Sequence, residues 1–474
     1  MKNQLKTLAK LIVLLVFFNS CEKDANEFES DEIGSETTET TETTETTETT
    51  EAVGAAQAIP GEYIIVYKEN KSLAGKALQM KAKTNQVLSK NAIREDKVKY
   101  VYDKVTQGFA IKNLSEAELE RLKEDDNVAY VVPNYIHKLN IEKGESVDVL
   151  PATTQSKVAT GDLQLSDGEF LPWGVRRVGR GDGTGKTCWV IDSGIAPHND
   201  LNIDTANSKS FIEGSDWKDE YQHGTHIAGT IAAKNNRSGV IGVAYGATVV
   251  AVRMMDANGK STTDGIVAAA NYVASKIKPG EVWNASFGTI NRDADDHQLV
   301  NTVFRELARY APGALSAGNN NRNTEGRSPT SLQTSNTWVV GALTNNDTPW
   351  EYSNFGINID CWAPGTEVWS TGLNGTFFKG SGTSAAAPHV AGILLLRGNN
   401  TIADDGLAIK NDYAAPIAVL GDLSNVGNYV NGQWYTINGE PLFRWDDKWW
   451  KQDANEEWWY WDGFKWVKGN PLVI

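Results

Sequence analysis

Three short stretches of this 474-residue sequence carry side chains that could act together as nucleophile, base and orienting acid. Val190-Ile191-Asp192-Ser193-Gly194 is an apolar run that delivers a carboxylate at its end, where a buried aspartate can orient and support an imidazolium. His223-Gly224-Thr225-His226-Ile227-Ala228-Gly229-Thr230 opens a helix of small residues. A histidine with an unperturbed pKa of about 6.5 is suited to take a proton near neutral pH. Gly380-Ser381-Gly382-Thr383-Ser384-Ala385-Ala386-Ala387-Pro388-His389-Val390-Ala391-Gly392 is a glycine-rich turn running into an alanine-rich helix. It sets the Ser384 hydroxyl at a helix N-terminus, where the dipole favours developing negative charge. Singly, Asp192 reads as a turn or cap residue, His223 as a structural histidine and Ser384 as an N-cap. Together they predict nucleophilic catalysis.

Such groups need a frame that brings distant stretches to one place. Buried strand-like runs at Cys188–Ile191, Ala247–Val252, Val282–Ala285 and Trp338–Leu343 alternate with helical stretches at Thr263–Lys276 and Asp296–Tyr310. That alternation predicts an α/β domain with a mostly parallel sheet and helices on both faces. Its active site is expected at the carboxyl ends of the strands.

The three motifs resemble those of the subtilisin-like serine proteases, most closely the proteinase K and subtilisin branches, over about Glu169 to Leu396. The resemblance implies peptide-bond hydrolysis through an acyl-enzyme. Ser384 is then the nucleophile, His223 its base and later the acid, and Asp192 the orienting carboxylate. His226 and His389 are not catalytic in that family. Leu315-Ser316-Ala317-Gly318-Asn319-Asn320 matches a family loop that makes Asn319 the side-chain donor to the oxyanion, beside the Ser384 amide. Such a donor is worth roughly 3–4 kcal/mol. Asn284-Ala285-Ser286-Phe287-Gly288 resembles the family's substrate-binding edge strand, whose backbone pairs with an extended peptide, so Ser286, Phe287 and Gly288 are implied to bind substrate. Phe287 and Thr289 depart from the family pattern and are expected to narrow or reshape the pocket.

No cofactor is implied for the chemistry, but a structural Ca²⁺ is. The run from Ala233 to Val240 resembles the family's calcium loop, with Asp200 and Glu169 falling where other side-chain ligands stand. The implied set is the side chains of Asp200, Asn236 and Glu169 with the carbonyls of Lys234, Ser238 and Val240, oxygen donors that suit Ca²⁺. The alternative is a plain surface loop, in which Arg237 adds positive charge.

Ahead of this domain, residues 60–140 combine a strand run at Tyr63–Tyr67, a short one at Phe109–Ile111, a capping-box helix start at Ser115-Glu116-Ala117-Glu118 and a strand at Val128–Val132. This small α+β unit resembles the inhibitor-type propeptide of the same family, which implies that it inhibits its own peptidase and is then cut off. Residues 141–168 are polar and weakly patterned, as suits an exposed connection where processing occurs.

At the N-terminus, Lys2, Lys6 and Lys10 precede an apolar run from Leu11 to Phe18 that is too short to span a membrane and ends at Asn19-Ser20-Cys21. The pattern resembles a bacterial lipoprotein signal, which implies acylation of Cys21 and a membrane attachment through lipid alone. An ordinary signal peptide, cut and discarded, is the alternative. Residues 22–59 include Glu-Thr-Thr repeats with nothing to bury, so they are expected to form an extended tether. At the other end, eight of the sixteen tryptophans fall between Trp434 and Trp466, around Asn431-Gly432, Asp446-Asp447 and Asp462-Gly463. That spacing predicts a hairpin meander over residues 421–474. Its aromatics either receive a carbohydrate or other surface ligand, or supply the core that so small a unit needs.

A net charge of −15 argues against nucleic acid and anionic membrane surfaces as partners. The sequence thus predicts a subtilisin-like α/β domain at 169–420, preceded by an α+β propeptide and followed by a small aromatic-rich β unit. Its expected partners are polypeptide substrates and its own propeptide. The rival reading is a surface binding lipoprotein that keeps an inactive protease fold. Against it stand the intact residues at 192, 223, 319 and 384.

Overall fold

The computed structural model describes residues 57–139, 145–147, 150, 161–165, 168–288, 295–398, 401–421 and five strands of the tail within 433–468. The N-terminal segment read as an export signal, Cys21, the Glu-Thr-Thr tract, Thr289 and most of residues 140–160 lie outside these. Among the described residues no helix is long and apolar enough to cross a membrane.

The α+β unit forms around four antiparallel strands, β1 (Gln57–Tyr67), β2 (Val98–Tyr102), β3 (Gly108–Ile111) and β4 (Val128–Lys138), in the order β4-β1-β3-β2. Because side chains alternate along a strand, β1 serves two cores. Ile65 and Tyr67 pack with Met80, Val87 and Leu88 of helix α1 (Ala77–Lys90) and Leu122 of α2 (Glu116–Lys123). Ile64 and Val66 face the other way, into the cluster that holds Phe211, Ile266 and Ala270 of the following domain. The expected capping box starts α2: the Ser115 and Glu118 side chains each accept from the other residue's amide. α1 escapes the sequence reading because its four buried residues, Met80, Thr84, Val87 and Leu88, sit among lysines and glutamines.

After β5 (Glu145–Val147), the larger domain contributes β6 (Thr187–Asp192), β7 (Thr248–Arg253), β8 (Lys260–Thr262), β9 (Val282–Ala285), β10 (Gly313–Ser316), β11 (Thr337–Leu343) and β12 (Cys361–Pro364). A hairpin, β13 (Val368–Thr371) and β14 (Phe377–Gly380), leads to the last helix, and β15 (Ala403–Lys410) and β16 (Tyr413–Val419) close the domain. The main sheet runs β7-β6-β9-β10-β11-β12-β16-β15, with two short strands at 202–203 and 209–210 against β7. Every pairing in it is parallel except β15 with β16. Helices cover both faces of the central strands, so these are largely apolar, and all seven residues of β11 are buried, whereas the edge strand β15 is mostly exposed. On one face Trp189 and Ile191 pack with α5 (Thr263–Lys276) and α6 (Asp295–Leu307). On the other, Cys188 and Val190 pack with α3 (Trp173–Val178), α4 (His223–Ala232) and α7 (Thr383–Arg397).

Cys188 lies on β6 and Cys361 on β12, four strand spacings away in the sheet. At about 4.8 Å per spacing they are some ~19 Å apart, well beyond disulfide reach.

In the tail, β17 (Gln433–Ile437), β18 (Glu440–Trp445), β19 (Lys448–Gln452), β20 (Trp458–Trp461) and β21 (Trp466–Lys468) form an antiparallel meander. Asp446-Asp447 and Asp462-Gly463 fall between paired strands, as expected. Asn431-Gly432 does not: it precedes β17, an edge strand paired only with β18 among the described residues.

Candidate active site

Asp192 is the last residue of β6, a strand flanked on both sides by β7 and β9, so its carboxylate emerges at the carboxyl edge of the sheet. It is fully buried. His223 is the first residue of α4, and its Nδ1 meets Asp192 Oδ1 at 2.8 Å. The same oxygen accepts from the Ser193 amide at 2.7 Å. A carboxylate can only accept here, so Nδ1 bears the hydrogen and Nε2 keeps the lone pair a base needs. Burial works against charge on this ring, but the charge and hydrogen bond of Asp192, with a further contribution from Asp219, outweigh it and raise the imidazole pKa.

The approach of α4 to β6 depends on two features. A Cβ at Gly224 would stand 2.1 Å from the Gly194 carbonyl oxygen, so only glycine lets the helix start so close. Asp219 then ties the two segments together. It accepts from Ser193 Oγ at 2.9 Å, from the Tyr221 and Gln222 amides, and from the amide and hydroxyl of Thr225 at 2.9 and 2.6 Å. Ser193 Oγ in turn accepts from the Gly224 amide. Asp219 was not evident in the sequence, where an acid four residues before a histidine is an ordinary loop residue.

Ser384 is the second residue of α7, partly exposed, with Gly382 as the helix N-cap. Its carbonyl lacks the usual helical partner because Pro388, four residues on, has no amide hydrogen. Ser286 Oγ donates to that carbonyl instead, at 3.1 Å, and accepts from Asn284 Nδ2 at 2.9 Å. The other two motif histidines are buried and bonded to backbone: His226 Nε2 to the Val368 carbonyl and His389 Nδ1 to that of Ala385. Desolvation lowers their pKa values to about 4 and about 3, so both stay neutral.

Asn319 follows β10. Its Oδ1 accepts from the Thr383 amide at 2.9 Å and the Thr383 hydroxyl at 2.8 Å, which turns Nδ2 the other way. The Thr383 hydroxyl also accepts from the Gly318 amide. A Cβ on Gly382, whose φ is +147°, would lie 3.0 Å from Asn319 Nδ2 and 2.9 Å from Ser384 Oγ. The lack of a side chain there opens a space bounded by the nucleophile candidate and the amide donor. Thr383 is the residue the sequence reading passed over, although a hydroxyl directly before Ser384 was its visible signal.

β9 ends at Ala285 with β6 and β10 on its two sides, and Ser286, Phe287 and Gly288 follow it beyond those pairings. The strand that pairs with an extended segment is β8, where Lys260, Ser261 and Thr262 lie opposite Lys138, His137 and Ile136 of β4. Ser286 acts on the Ser384 carbonyl. Phe287 is 3% exposed and packs on Phe304, so at 287 only backbone is offered to the pocket; Gly288 is exposed. Around β4 and β8 the α+β unit is held by Lys99, whose Nζ reaches Glu62 at 2.9 Å and Asp264 at 2.6 Å.

The residues read as a cation site also converge. Asp200 Oδ1 accepts from Asn236 Nδ2 at 2.9 Å, and its Oδ2 accepts from the Val240 amide at 3.1 Å. Glu169 Oε2 accepts from the amides of Asn236, Arg237 and Ser238. Lys234 turns its side chain to the Asn199 carbonyl, with Nζ donating at 2.8 Å. Desolvation raises Glu169 to about 7 and Asp200 to about 6, against the loop hydrogen bonds. Two desolvated carboxylates beside the Asn236 side chain are oxygen donors of the kind a hard cation takes, while here Asn236 presents Nδ2 to Asp200 and its Oδ1 accepts from the Ser238 amide. Among the described residues, no cluster of three or more His, Cys, Asp or Glu side chains is placed to hold a metal.

Comparison with known proteins agrees with this geometry. Residues 183–401 match the subtilase family, and residues 62–140 match the peptidase inhibitor I9 family. An extracellular serine proteinase of Thermus sp. is 32% identical over 72% of this chain and 81% of its own length. Alkaline serine exoprotease A of Vibrio alginolyticus is 30% identical over 73% of this chain and 62% of its own. A solved cold-adapted subtilisin-like serine proteinase aligns with a TM-score of 0.46 and 26% identity, covering 52% of this chain and 97% of that one. The chain belongs to the subtilase family: it is a subtilisin-like serine endopeptidase that carries an inhibitor I9 propeptide ahead of its peptidase domain.

Proposed function

We propose that Ser384 Oγ attacks the carbonyl carbon of a peptide bond while its proton passes to His223 Nε2. The tetrahedral oxyanion is held by Asn319 Nδ2 and the Ser384 amide. The C–N bond breaks as His223 returns the proton to the leaving amine, which leaves an acyl-enzyme. Water then repeats the sequence, giving its proton to His223 and its oxygen to the acyl carbon, and Ser384 regains its hydrogen. The observation that carries this reading is the 2.8 Å contact from His223 Nδ1 to Asp192, which fixes Nε2 as the basic nitrogen.

The first substrate is the chain itself: the pairing of β4 with β8 supports autocatalytic removal of the propeptide, which acts as intramolecular inhibitor until cut. The Asp200, Asn236, Glu169 loop holds a structural Ca²⁺ that stabilises the fold and takes no part in the chemistry. Export through the N-terminal signal ends in acylation of Cys21, which ties the protease to a membrane by lipid alone. In the tail, register puts Trp434, Phe443, Trp450, Tyr460 and Val467 in one cross-strand row, which serves as the unit's own core or as a platform for carbohydrate.

Mass determination of purified wild type and Ser384→Ala tests the central reading. The wild type should convert to a species lacking the propeptide, and Ser384→Ala should stay full length. Equal processing of both would assign maturation to another protease. Retention of Cys21→Ala in the membrane fraction would remove the lipid anchor from the account.

A further inference from the structure

β4 does not stop at the edge of the cleft. Beyond its pairs with β8, the Leu139 amide donates to the Gly259 carbonyl at 2.8 Å, and the Leu139 carbonyl accepts from Tyr221 Oη at 2.5 Å. Tyr221 stands two residues before His223. A Cβ on Gly259 would fall 2.6 Å from that hydroxyl and 2.7 Å from that carbonyl, so the three groups close tightly on one another. The chain therefore enters the cleft at its β8 side and heads for the catalytic histidine.

It leaves on the opposite side in the same direction. β5 pairs antiparallel with β14, with Glu145 opposite Lys379, Ser146 opposite Phe378 and Val147 opposite Phe377. β14 runs directly into the Ser384 turn, so Glu145 is the end of β5 nearer to Ser384 and Val147 the end farther away. Five residues separate Leu139 from Glu145, and six Cα steps reach at most roughly 20 Å. One polypeptide thus lies on two edge strands that flank the catalytic residues, with a single chain polarity throughout. After β5, Leu150 packs in the cluster formed by Phe170, Val240, Trp369 and the partly buried Phe377.

We propose that β5 and Leu150 form a second inhibitory strap, which covers the leaving-group half of the cleft and outlasts the first cut. The inference rests on the proteolytic reading above. Hydrolysis between Leu139 and Glu145 frees the propeptide, whose hold is on the β8 side. It does not release residues 145–150, which stay joined to the peptidase domain and paired with β14. Full activity toward long polypeptides then needs a second hydrolysis beyond Leu150, with water as the only co-reactant. The intermediate is open on one side and closed on the other.

The test follows maturation of the full chain by mass and N-terminal sequencing, and assays each species on two substrates. One is a peptide p-nitroanilide, with no residues beyond the scissile bond; the other is a fluorogenic peptide with three or more residues beyond it. The first product should begin between residues 140 and 145 and the final one beyond Leu150. The first product should cleave the anilide like the final enzyme but show a KM for the long peptide at least tenfold higher. Ser146→Pro, which breaks the strand pairing, and Leu150→Ala, which loosens the anchor, should each lower that KM toward the final value. Equal long-peptide KM values in the first product, the final enzyme and both variants would overturn the strap. So would conversion in one step with the variants indistinguishable from wild type. Loss of anilide hydrolysis in every species would instead overturn the proteolytic reading.

Discussion

Ser286 donates its hydroxyl to the Ser384 carbonyl across 3.1 Å, a bond that exists because Pro388 offers that carbonyl no amide. Ser286→Ala should leave a buried acceptor without its donor, at about 1–3 kcal/mol, and loosen the start of α7. We expect kcat to fall about tenfold, the equivalent of 1.4 kcal/mol, with KM within about twofold and Ser286→Thr close to wild type. Steady-state kinetics on the processed enzyme decides it; an unchanged kcat would mean that this bond holds nothing the reaction needs.

Asn319→Ala should lower kcat about 10²- to 10³-fold and leave KM nearly unchanged, because its donor matters only once the oxyanion forms. Thr383→Val should give part of that loss by freeing the Asn319 amide to turn. Gly382→Ala places a methyl group between Asn319 Nδ2 and Ser384 Oγ and should abolish turnover outright. A rise in KM alone in Asn319→Ala would assign that residue to substrate binding.

The pH profile should report His223. Its pKa is raised above the ordinary 6.5 by Asp192 against the effect of burial, so activity should appear as pH rises through a midpoint above that value. The same shift stabilises the fold below about pH 6.5, and that contribution is lost as pH rises through the folded-state value. Asp192→Asn should move the activity midpoint lower and cut kcat by about 10⁴-fold. An unmoved midpoint would show that another group controls the acid limb.

The chemistry was more legible in the sequence than the contacts that hold it. Asp192, His223 and Ser384 each announce themselves because their local structure is written within a few neighbours: an apolar run, a helix of small residues, a glycine turn. β8 is three polar residues long and reads as loop, and its role depends on Lys138 and Ile136 from more than a hundred positions away. Asp219, Thr383 and the Ser286 to Ser384 bond are likewise long-range relations between common residue types. The sequence does not say which way the Phe287 ring turns after its strand; in the fold it packs on Phe304.

The carboxylate pair predicts a stability trend. Glu169, raised from 4.5 to about 7, and Asp200, raised from 3.8 to about 6, hold their protons more tightly in the folded state than in the unfolded one. Stability of the chelated enzyme should therefore fall as pH rises from about 4 to about 7 and level off above. Ca²⁺ should remove most of that fall, so the gap in Tm with and without chelator widens across the window, and Asp200→Asn should close it. A gap that is absent, or equal at pH 5 and pH 8, contradicts the assigned site.

Peptide hydrolysis by this protein requires Ser384 as the nucleophile that His223 activates. The processed enzyme should be treated with a phosphonyl fluoride and the adduct located by peptide mass spectrometry. One equivalent should bond to Ser384 Oγ with complete loss of peptide hydrolysis. His223→Ala, brought to the same processed form by an added protease, should take up the reagent at least about 10³-fold more slowly. Hydrolysis that persists after stoichiometric modification of Ser384, or an adduct formed at another residue as activity disappears, would contradict it.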